Sequence, residues 1–362
     1  MNKEIELIKK LSKLTYKDEK KELEEIREIS QELNWYEFFK YAMYHKTATL
    51  CWYNLNRLEV KCNIPKYLYN ILRFSFEAIK KQNELYLREC DRVCSILEKE
   101  NIITIATKGS MLIPKIYKCY GIRFMGDIDL LIKYSDIPRL DVAMKKLGYI
   151  QGYYQYSTKN IVPISRVEEL KWRMTMSNLF PYVRKNKNDV VPFFELDFRY
   201  SLDDTLRKDT VDEIIEKYEK DREYYPPHVL IHLCTHFYDE AKHSVSILQS
   251  KDMSIIKLCD IREYFLAYVK EKYIDLFMEF VEKYSFQKQV YFTFLCLENV
   301  YNDGYEKEIM SKCNITDKKF INFFGENTNN LNQEFKKNLA DRIFSCSNAD
   351  EIQEKPKFYS EI

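Results

Sequence analysis

The sequence predicts an α+β protein in which a small mixed β-sheet lies between two helical regions. Glycine is scarce, with 7 in 362 residues, whereas tyrosine is abundant, with 29. Five of the glycines fall between Gly109 and Gly152, where short apolar runs and helical spacing alternate. The flanking segments show the three- and four-residue apolar spacing of amphipathic helices. We therefore expect a helical region at 1–97, an α/β core at 98–210 and a helical region at 211–362.

The N-terminal region is patterned for helices. Two apolar stripes oppose charged residues, at Ile5, Leu7, Ile8 and Leu11 and at Leu68, Leu72, Phe76 and Ile79. Pro65 opens the second of these helices. A further helix over 86–100 leads into the core.

The core alternates strands and helices. Strands are predicted at 102–106, 127–132, 149–156 and 190–198, and helices at 111–120 and from a Ser135 cap to a stop at Gly148. Pro192 marks a sheet edge or a strand start. The polar stretch 157–188 shows no clear pattern, and 185–189 resembles a turn.

The C-terminal region returns to helical spacing from Val211. Pro226-Pro227 opens a helix with the sequence HVLIHLCTHFYDEA, and helices follow at 255–269, 273–284 and 287–301. The last thirty residues are polar and receive no assignment. His228, His232 and His236 recur every four residues on one helix face, and we interpret them as packing residues in preference to a metal site.

Charge and hydropathy exclude several classes of protein. There are 57 basic and 56 acidic residues, a net charge of +1, so the overall charge implies no polyanionic partner. No apolar run approaches the roughly 18–20 residues of a membrane span, and the charged N-terminus is not a signal peptide. Ten cysteines without a CxxC pair indicate buried thiols in a reducing cytoplasm.

The chemistry is concentrated around Asp127-Ile128-Asp129. Two aspartates separated by one residue on a strand point to the same side, because side chains alternate faces. Buried carboxylates cost several kcal/mol unless they are paired or bind a metal. Lys108-Gly109-Ser110 lies upstream, where a glycine turn can bring N–H groups and a hydroxyl close to phosphate oxygens.

A second acidic pair, Glu195 and Asp197, has the same spacing on another predicted strand. Four acids on one sheet face repel one another strongly without cations, which predicts a divalent metal. Two ions could clamp a phosphate and stabilise both the attacking and the leaving oxygen. Mg²⁺ is the expected ion, with Mn²⁺ as the alternative.

This order of features resembles the DNA polymerase β-type nucleotidyltransferase superfamily. KGSMLIPKIYKCYGIRFMGDIDLLI at 108–132 resembles the bacterial "uncharacterised nucleotidyltransferase" family, with its KG turn, an arginine shortly before DIDLL and a later acidic strand. A His-rich helix before LCDIREYF adds to the resemblance, which spans about 102–265. It implies a nucleotidyltransferase core at the centre of the α+β fold.

The resemblance also implies roles for individual residues. Gly109 and Ser110 would hold the β- and γ-phosphates of the incoming nucleotide, with Lys108 and Arg123 as further phosphate contacts or as partners of the acidic cluster. Asp127 and Asp129 would bind both metal ions. Glu195 would bind the catalytic ion and accept the acceptor's proton.

Two departures from the family pattern affect this assignment. Sixteen residues separate Ser110 from Asp127, more than is usual in the superfamily. The later strand in relatives often reads acid-x-His, whereas here it reads Glu195-Leu196-Asp197. Glu195 is therefore the expected third ligand by position, and the role of Asp197 stays open.

The aromatic pairs Tyr153-Tyr154 and Phe193-Phe194 are interpreted as core in preference to base-stacking surfaces.

The implied reaction is attack of an acceptor hydroxyl on the α-phosphate of a nucleoside triphosphate, with ATP as the expected donor and pyrophosphate as the leaving group. The acceptor is a small molecule or a protein side chain, and the neutral charge argues against nucleic acid. The alternative is a catalytically inactive protein of this fold that acts through a protein partner, as in a toxin–antitoxin pair.

Overall fold

The computed structural model describes residues 2–203, 206–325 and 333–352. Contacts divide the chain into two compact units, one made of Met1–Phe74 with Leu230–Ile362 and the other of Ser75–Val229. The first unit is therefore built from both ends of the chain, and the second from its middle. The three successive regions expected from the sequence remain a prediction. Among the described residues, no helix has the length and apolar character needed to cross a membrane.

Helices dominate the structure. Their bounds are α1 (Lys3–Leu11), α2 (Glu19–Ile29), α3 (Trp35–Tyr44), α4 (Ala48–Arg57), α5 (Lys66–Lys99), α6 (Lys108–Leu112), α7 (Ile137–Lys146), α8 (Arg166–Thr175), α9 (Asp209–Asp221), α10 (Pro226–Lys242), α11 (Ser244–Leu248), α12 (Ile255–Tyr264), α13 (Ile274–Lys283), α14 (Gln287–Val300), α15 (Glu306–Lys312) and α16 (Leu339–Phe344). Single π-helical turns extend α6 through Ile113–Tyr117 and α12 through Phe265–Val269.

The strands lie mainly in the middle of the chain. They are β1 (Thr104–Ala106), β2 (Ile128–Ile132), β3 (Ile150–Gln155), β4 (Asn160–Pro163), β5 (Tyr182–Lys185), β6 (Phe193–Arg199), β7 (Phe323–Phe324) and β8 (Gln333–Glu334). The first six form one sheet in the order β1-β2-β6-β5-β3-β4. Strands β2 and β6 run parallel, whereas the other neighbours are antiparallel. This mixed sheet with flanking helices confirms the predicted α+β fold.

The two faces of the sheet have different chemistry. One face is apolar, and Leu130 of β2 and Leu196 of β6 are fully buried there. Side chains of α5 and α7, including Val93 and Leu140, belong to the same core cluster. The alternate residues of β2 and β6, Asp129 among them, therefore point to the opposite face.

The expected strands and helices of the core are present, but two details differ. The helix after β2 begins at Ile137 behind a 3₁₀ turn at Tyr134–Asp136, so Asp136 and not Ser135 precedes it. Pro192 comes directly before β6, which lies between β2 and β5. It marks a strand start, because a proline cannot donate to a ladder inside a sheet.

The stretch 157–188, which has no clear pattern in the sequence, contains β4, α8 and β5. Helix α8 buries none of its residues, and its apolar residues at helical spacing, Val167, Leu170 and Met174, are exposed. A capping box of Ser165 and Glu168 begins this helix. That motif was visible in the sequence and could have located it.

Buried polar groups hold the segments of the first unit together, and the bond between Leu14 and Glu263 joins the two ends of the chain. Asn54 donates from Nδ2 to the carbonyls of Leu11 at 2.8 Å and Lys13 at 2.7 Å. The backbone N–H of Leu14 donates to Glu263, and Arg262 beside it pairs with Asp303 at 2.5 Å. These bonds compensate for burying the groups involved.

We expect Gly152→Ala to destabilise the protein. A Cβ at this β3 position would lie against the backbone carbonyl of Val162 in β4 and 3.1 Å from the Cα of Pro163. Because backbone cannot rotate away, the free energy of unfolding should fall by about 2 kcal/mol or more, as overpacking typically costs 1–3. Urea denaturation measures this change.

Gly126→Ala is the matched control, because its Cβ would meet only the Phe124 ring, at 3.4 Å. It should change the free energy of unfolding by much less. Equal stabilities for the two variants would contradict the close backbone approach at Gly152.

Candidate functional site

Four carboxylates lie on the face of the sheet opposite the core. In the parallel pairing of β2 with β6, Asp129 is opposite Asp197 and Ile128 is opposite Leu196. The same register, continued one residue towards the N-terminus, brings Asp127 level with Glu195. The structure therefore brings together all four acids that the sequence singled out.

Burial and like charge disfavour ionisation of two of these acids, Asp127 and Asp197. Burial, followed by repulsion from Asp129, raises the pKa of Asp127 to about 7, although Lys108 acts in the opposite direction. Burial and Asp129 also raise the pKa of Asp197, opposed by Lys108, Arg199 and Asn178. A cation bound beside them would favour the ionised forms of Asp127 and Asp197.

Lys108 supplies positive charge to the cluster. Its Nζ lies 2.6 Å from Oδ1 of Asp129, with both side chains about nine-tenths buried at 12% and 11% exposure. The residue has a left-handed backbone, with φ of +45°. The preceding Thr107 donates its N–H to the Asp129 carbonyl at 3.0 Å. The turn between β1 and α6 is thereby held against β2.

Gly109 and Arg123 meet next to this turn. A Cβ on Gly109 would lie 2.8 Å from Nη1 of Arg123 and 2.9 Å from Sδ of Met125. Glycine is therefore needed for the guanidinium to approach the backbone so closely. The residues that the sequence proposed as phosphate contacts, Lys108, Gly109 and Arg123, are gathered at one side of the acidic cluster.

Ser110 is placed differently. The residue is buried, with 6% of its surface exposed, and its hydroxyl donates to Sδ of Met125 at 3.5 Å. In this structure its hydroxyl therefore lies in a buried environment, and its role as a phosphate contact stays a prediction.

Side chains of α5 hold the loop that leads into Asp127. Gln82 donates to the carbonyl of Met125 at 2.6 Å, and Tyr86 to that of Gly126 at 3.0 Å. Asn83, fully buried, donates to the carbonyls of Tyr120 at 2.6 Å and Arg123 at 2.7 Å. The sequence analysis missed these positioning residues, because they look like ordinary polar positions of a long helix.

Asn178 is a second positioning residue that sequence reasoning missed. Its Nδ2 donates to Oδ1 of Asp197 at 2.7 Å. Arg199, two residues further along β6, donates to the Ser177 hydroxyl at 2.8 Å. Asn178 thus orients Asp197, and Ser177 holds Arg199, from a segment that has no motif of its own.

The donor set suits a hard divalent cation, because Mg²⁺ prefers carboxylate oxygens together with phosphate and water. The pKa of Asp127, which burial and the Asp129 carboxylate raise, supports the same conclusion. Within the described part of the chain, however, no three His, Cys, Asp or Glu side chains are already arranged around one point. Asp127, Asp129 and Glu195 are the residues that would hold such an ion. Two of the three histidines of α10 that we interpret as packing residues, His228 and His232, are buried.

Comparison with known proteins identifies the family. The family model described as "Uncharacterised nucleotidyltransferase" matches residues 31–302. No curated protein and no solved structure matches the chain. The match extends over β1, β2 and β6, and so includes the acidic face and the turn at Lys108.

The raised pKa of Asp127 predicts how stability depends on pH in the metal-free protein. The Asp127 carboxyl has a pKa of about 7 in the folded protein and 3.8 in the unfolded chain. Its contribution to the free energy of unfolding is fully present below pH 3.8. This contribution is lost as the pH rises from 3.8 to 7, because the folded protein resists ionisation of the carboxyl. It amounts to about 4 kcal/mol, at 1.36 kcal/mol per pKa unit. Asp127→Asn should therefore stabilise the protein more at pH 8 than at pH 5.

Urea denaturation in EDTA at both pH values measures this difference, which we expect to exceed about 2 kcal/mol. Asp275→Asn, at a side chain that is 96% exposed, is the control and should leave the pH profile unchanged. A pH-independent effect of Asp127→Asn would contradict the crowding of negative charge described above.

Proposed function

Because the chain belongs to the uncharacterised nucleotidyltransferase family, we propose that it is a Mg²⁺-dependent enzyme that transfers a nucleoside monophosphate to a hydroxyl group. The proposed donor is ATP, the acceptor is a small molecule or a protein side chain, and pyrophosphate is released. The supporting observation is the single acidic face on which Asp127, Asp129 and Glu195 lie beside Lys108.

The cationic side of the cluster suits the β- and γ-phosphates. The Lys108 ammonium lies 2.6 Å from Asp129, within reach of phosphate oxygens that approach this carboxylate. Arg123 lies directly against Gly109, and a guanidinium can donate two parallel hydrogen bonds to a phosphate. These residues would hold the triphosphate with its α-phosphorus over the acids.

Glu195 would take the acceptor's proton. In the register of β2 and β6 it lies level with Asp127, and a carboxylate there can hydrogen bond to an attacking hydroxyl. Bound Mg²⁺ would neutralise the phosphates and make the acceptor hydroxyl easier to deprotonate. Asp127 and Asp129 would hold the ions, and Asn178 would hold Asp197 in place through its hydrogen bond to Oδ1.

The charge of the chain favours a small acceptor. With 57 basic and 56 acidic residues, the protein has no excess of cations. Polynucleotide binding releases counterions through many lysine and arginine contacts. A small hydroxylated molecule or a single protein side chain needs few such contacts.

Calorimetry with Mg²⁺ and each nucleoside triphosphate tests the proposal. We expect wild-type protein to bind at least one triphosphate only in the presence of Mg²⁺. Asp127→Ala/Asp129→Ala should lose this binding by 100-fold or more, because the carboxylates that hold the ion are absent.

The double variant Glu216→Ala/Glu219→Ala is the control, since it removes the same charge from exposed acids near Lys133. It should bind as the wild type does. A folded wild-type protein that binds no triphosphate would contradict the proposal.

One observation favours the inactive alternative. The Lys108 ammonium already contacts Asp129, so a lysine could serve as a permanent substitute for a metal ion. In that case the fold would act only by binding a partner.

Lys108→Met separates these functions. Suppose that the lysine moves between Asp129 and the phosphates. The variant should then bind Mg²⁺ alone more tightly, because the ammonium that competes for Asp129 is gone. It should bind triphosphate about tenfold more weakly, because a charged phosphate contact is lost. Calorimetric titrations with MgCl₂ and with the nucleotide measure both effects, and circular dichroism checks that the variant is folded. No Mg²⁺ binding by either protein would favour the inactive alternative.

A further inference from the structure

An aromatic cluster lies on the acidic face beside Glu195. Phe193 precedes Glu195 by two residues on β6, so the two side chains share a face. The ring of Tyr154 stacks on Phe193, with centroids 4.4 Å apart and planes at 16°. Tyr156 meets Phe193 edge-on at 5.9 Å. Phe194, by contrast, is buried in the core, so only half of the Phe193-Phe194 pair fits the core assignment.

The cluster exists because the β3–β4 hairpin bends back along β6. Strand pairing places Ile150 level with Val183, which is level with Glu195. Strand β3 runs in the same direction as β6, so a straight β3 would place Tyr154 level with Arg199. The Tyr154 ring instead lies on Phe193, which is on the opposite side of Glu195 from Arg199. The hairpin must therefore bend back after Ile150. At the far end of the hairpin, Asn160 accepts from Nζ of Lys185 at 2.6 Å. Lys185 is the β5 neighbour of Phe193.

The cluster shares its surroundings with the carboxylates. After burial, the charges that raise the pKa of Tyr86 come from Asp127, Glu195 and Tyr156. Tyr156, Asp127 and Glu195 therefore all lie within electrostatic range of the Tyr86 hydroxyl. It is also 73% exposed, and an aromatic side chain so exposed next to a candidate site is available for a ligand.

The order of chemistry along this face matches that of a nucleotide. Lys108, in the turn after β1, contacts Asp129 of β2. The aromatic rings lie around Phe193 on β6, which is the neighbour of β2 on the side away from β1, about 7 Å or two strand residues from Glu195. A nucleoside triphosphate has charged phosphates at one end and a flat base at the other. We propose that Tyr154, Tyr156 and Phe193 bind the nucleobase by stacking, an inference that rests on the proposed function.

Two probes separate the base from the phosphates. ATP carries a base, whereas inorganic tripolyphosphate presents only the charged chain, and both are titrated calorimetrically with Mg²⁺. Tyr156→Ala should weaken ATP binding about tenfold, within the range measured for loss of a base–aromatic stack. It should leave tripolyphosphate binding unchanged. Tyr156→Phe, which keeps the ring, should bind ATP as the wild type does.

Tyr153→Ala is the matched control, because this neighbouring residue of β3 is 48% exposed but faces the other side of the strand. It should change neither affinity. If Tyr156→Ala binds ATP as tightly as the wild type, or loses both probes equally, the inference is wrong while the proposed function stands. A wild-type protein that binds neither probe overturns both.

Discussion

The parallel pairing of β2 with β6 is the constraint on which the candidate site depends. It places Asp129 directly beside Asp197, an arrangement that two carboxylates would not adopt alone. The alternate apolar residues of the two strands maintain this register, because Leu130 and Leu196 are buried on the opposite face of the sheet. A slip of one residue would turn these leucines to the acidic face and the acids into the core. Burial of apolar surface thus stabilises a register that forces negative charges together.

The remaining parts of the site respond to that concentration of charge. Lys108 compensates for part of it through a largely buried ion pair, and Asn178 gives Asp197 a neutral donor. Both leave Asp127 with a raised pKa, so the folded protein retains an affinity for added positive charge. In the proposed function, a bound cation with its triphosphate would relieve the repulsion that lowers the stability of the metal-free protein, and this relief would contribute to binding. Sites that bind or react often pay for function in this way.

Helix α5 and the β3–β4 hairpin build the two edges of the site. Gln82, Asn83 and Tyr86 bind four carbonyl groups of the loop before Asp127. The loop thereby keeps Arg123 next to Gly109 even though it has no regular structure. On the other edge, the bend near Gly152 brings Tyr154 to Phe193. A helix and a bent hairpin therefore position basic and aromatic groups around the same carboxylates.

The sequence by itself determined the α+β class, the family and which acids share a face within each strand. Period-two spacing places Asp127 with Asp129, and Glu195 with Asp197, whatever the partner strand is. Only the tertiary structure decided that β2 and β6 are neighbours, that Lys108 contacts Asp129 and that Ser110 is buried, because those contacts join residues distant in the chain. The same holds for Asn83, Asn178 and Tyr154. Their roles depend on bonds to a distant loop, strand or ring, and local patterns carry no information about such partners.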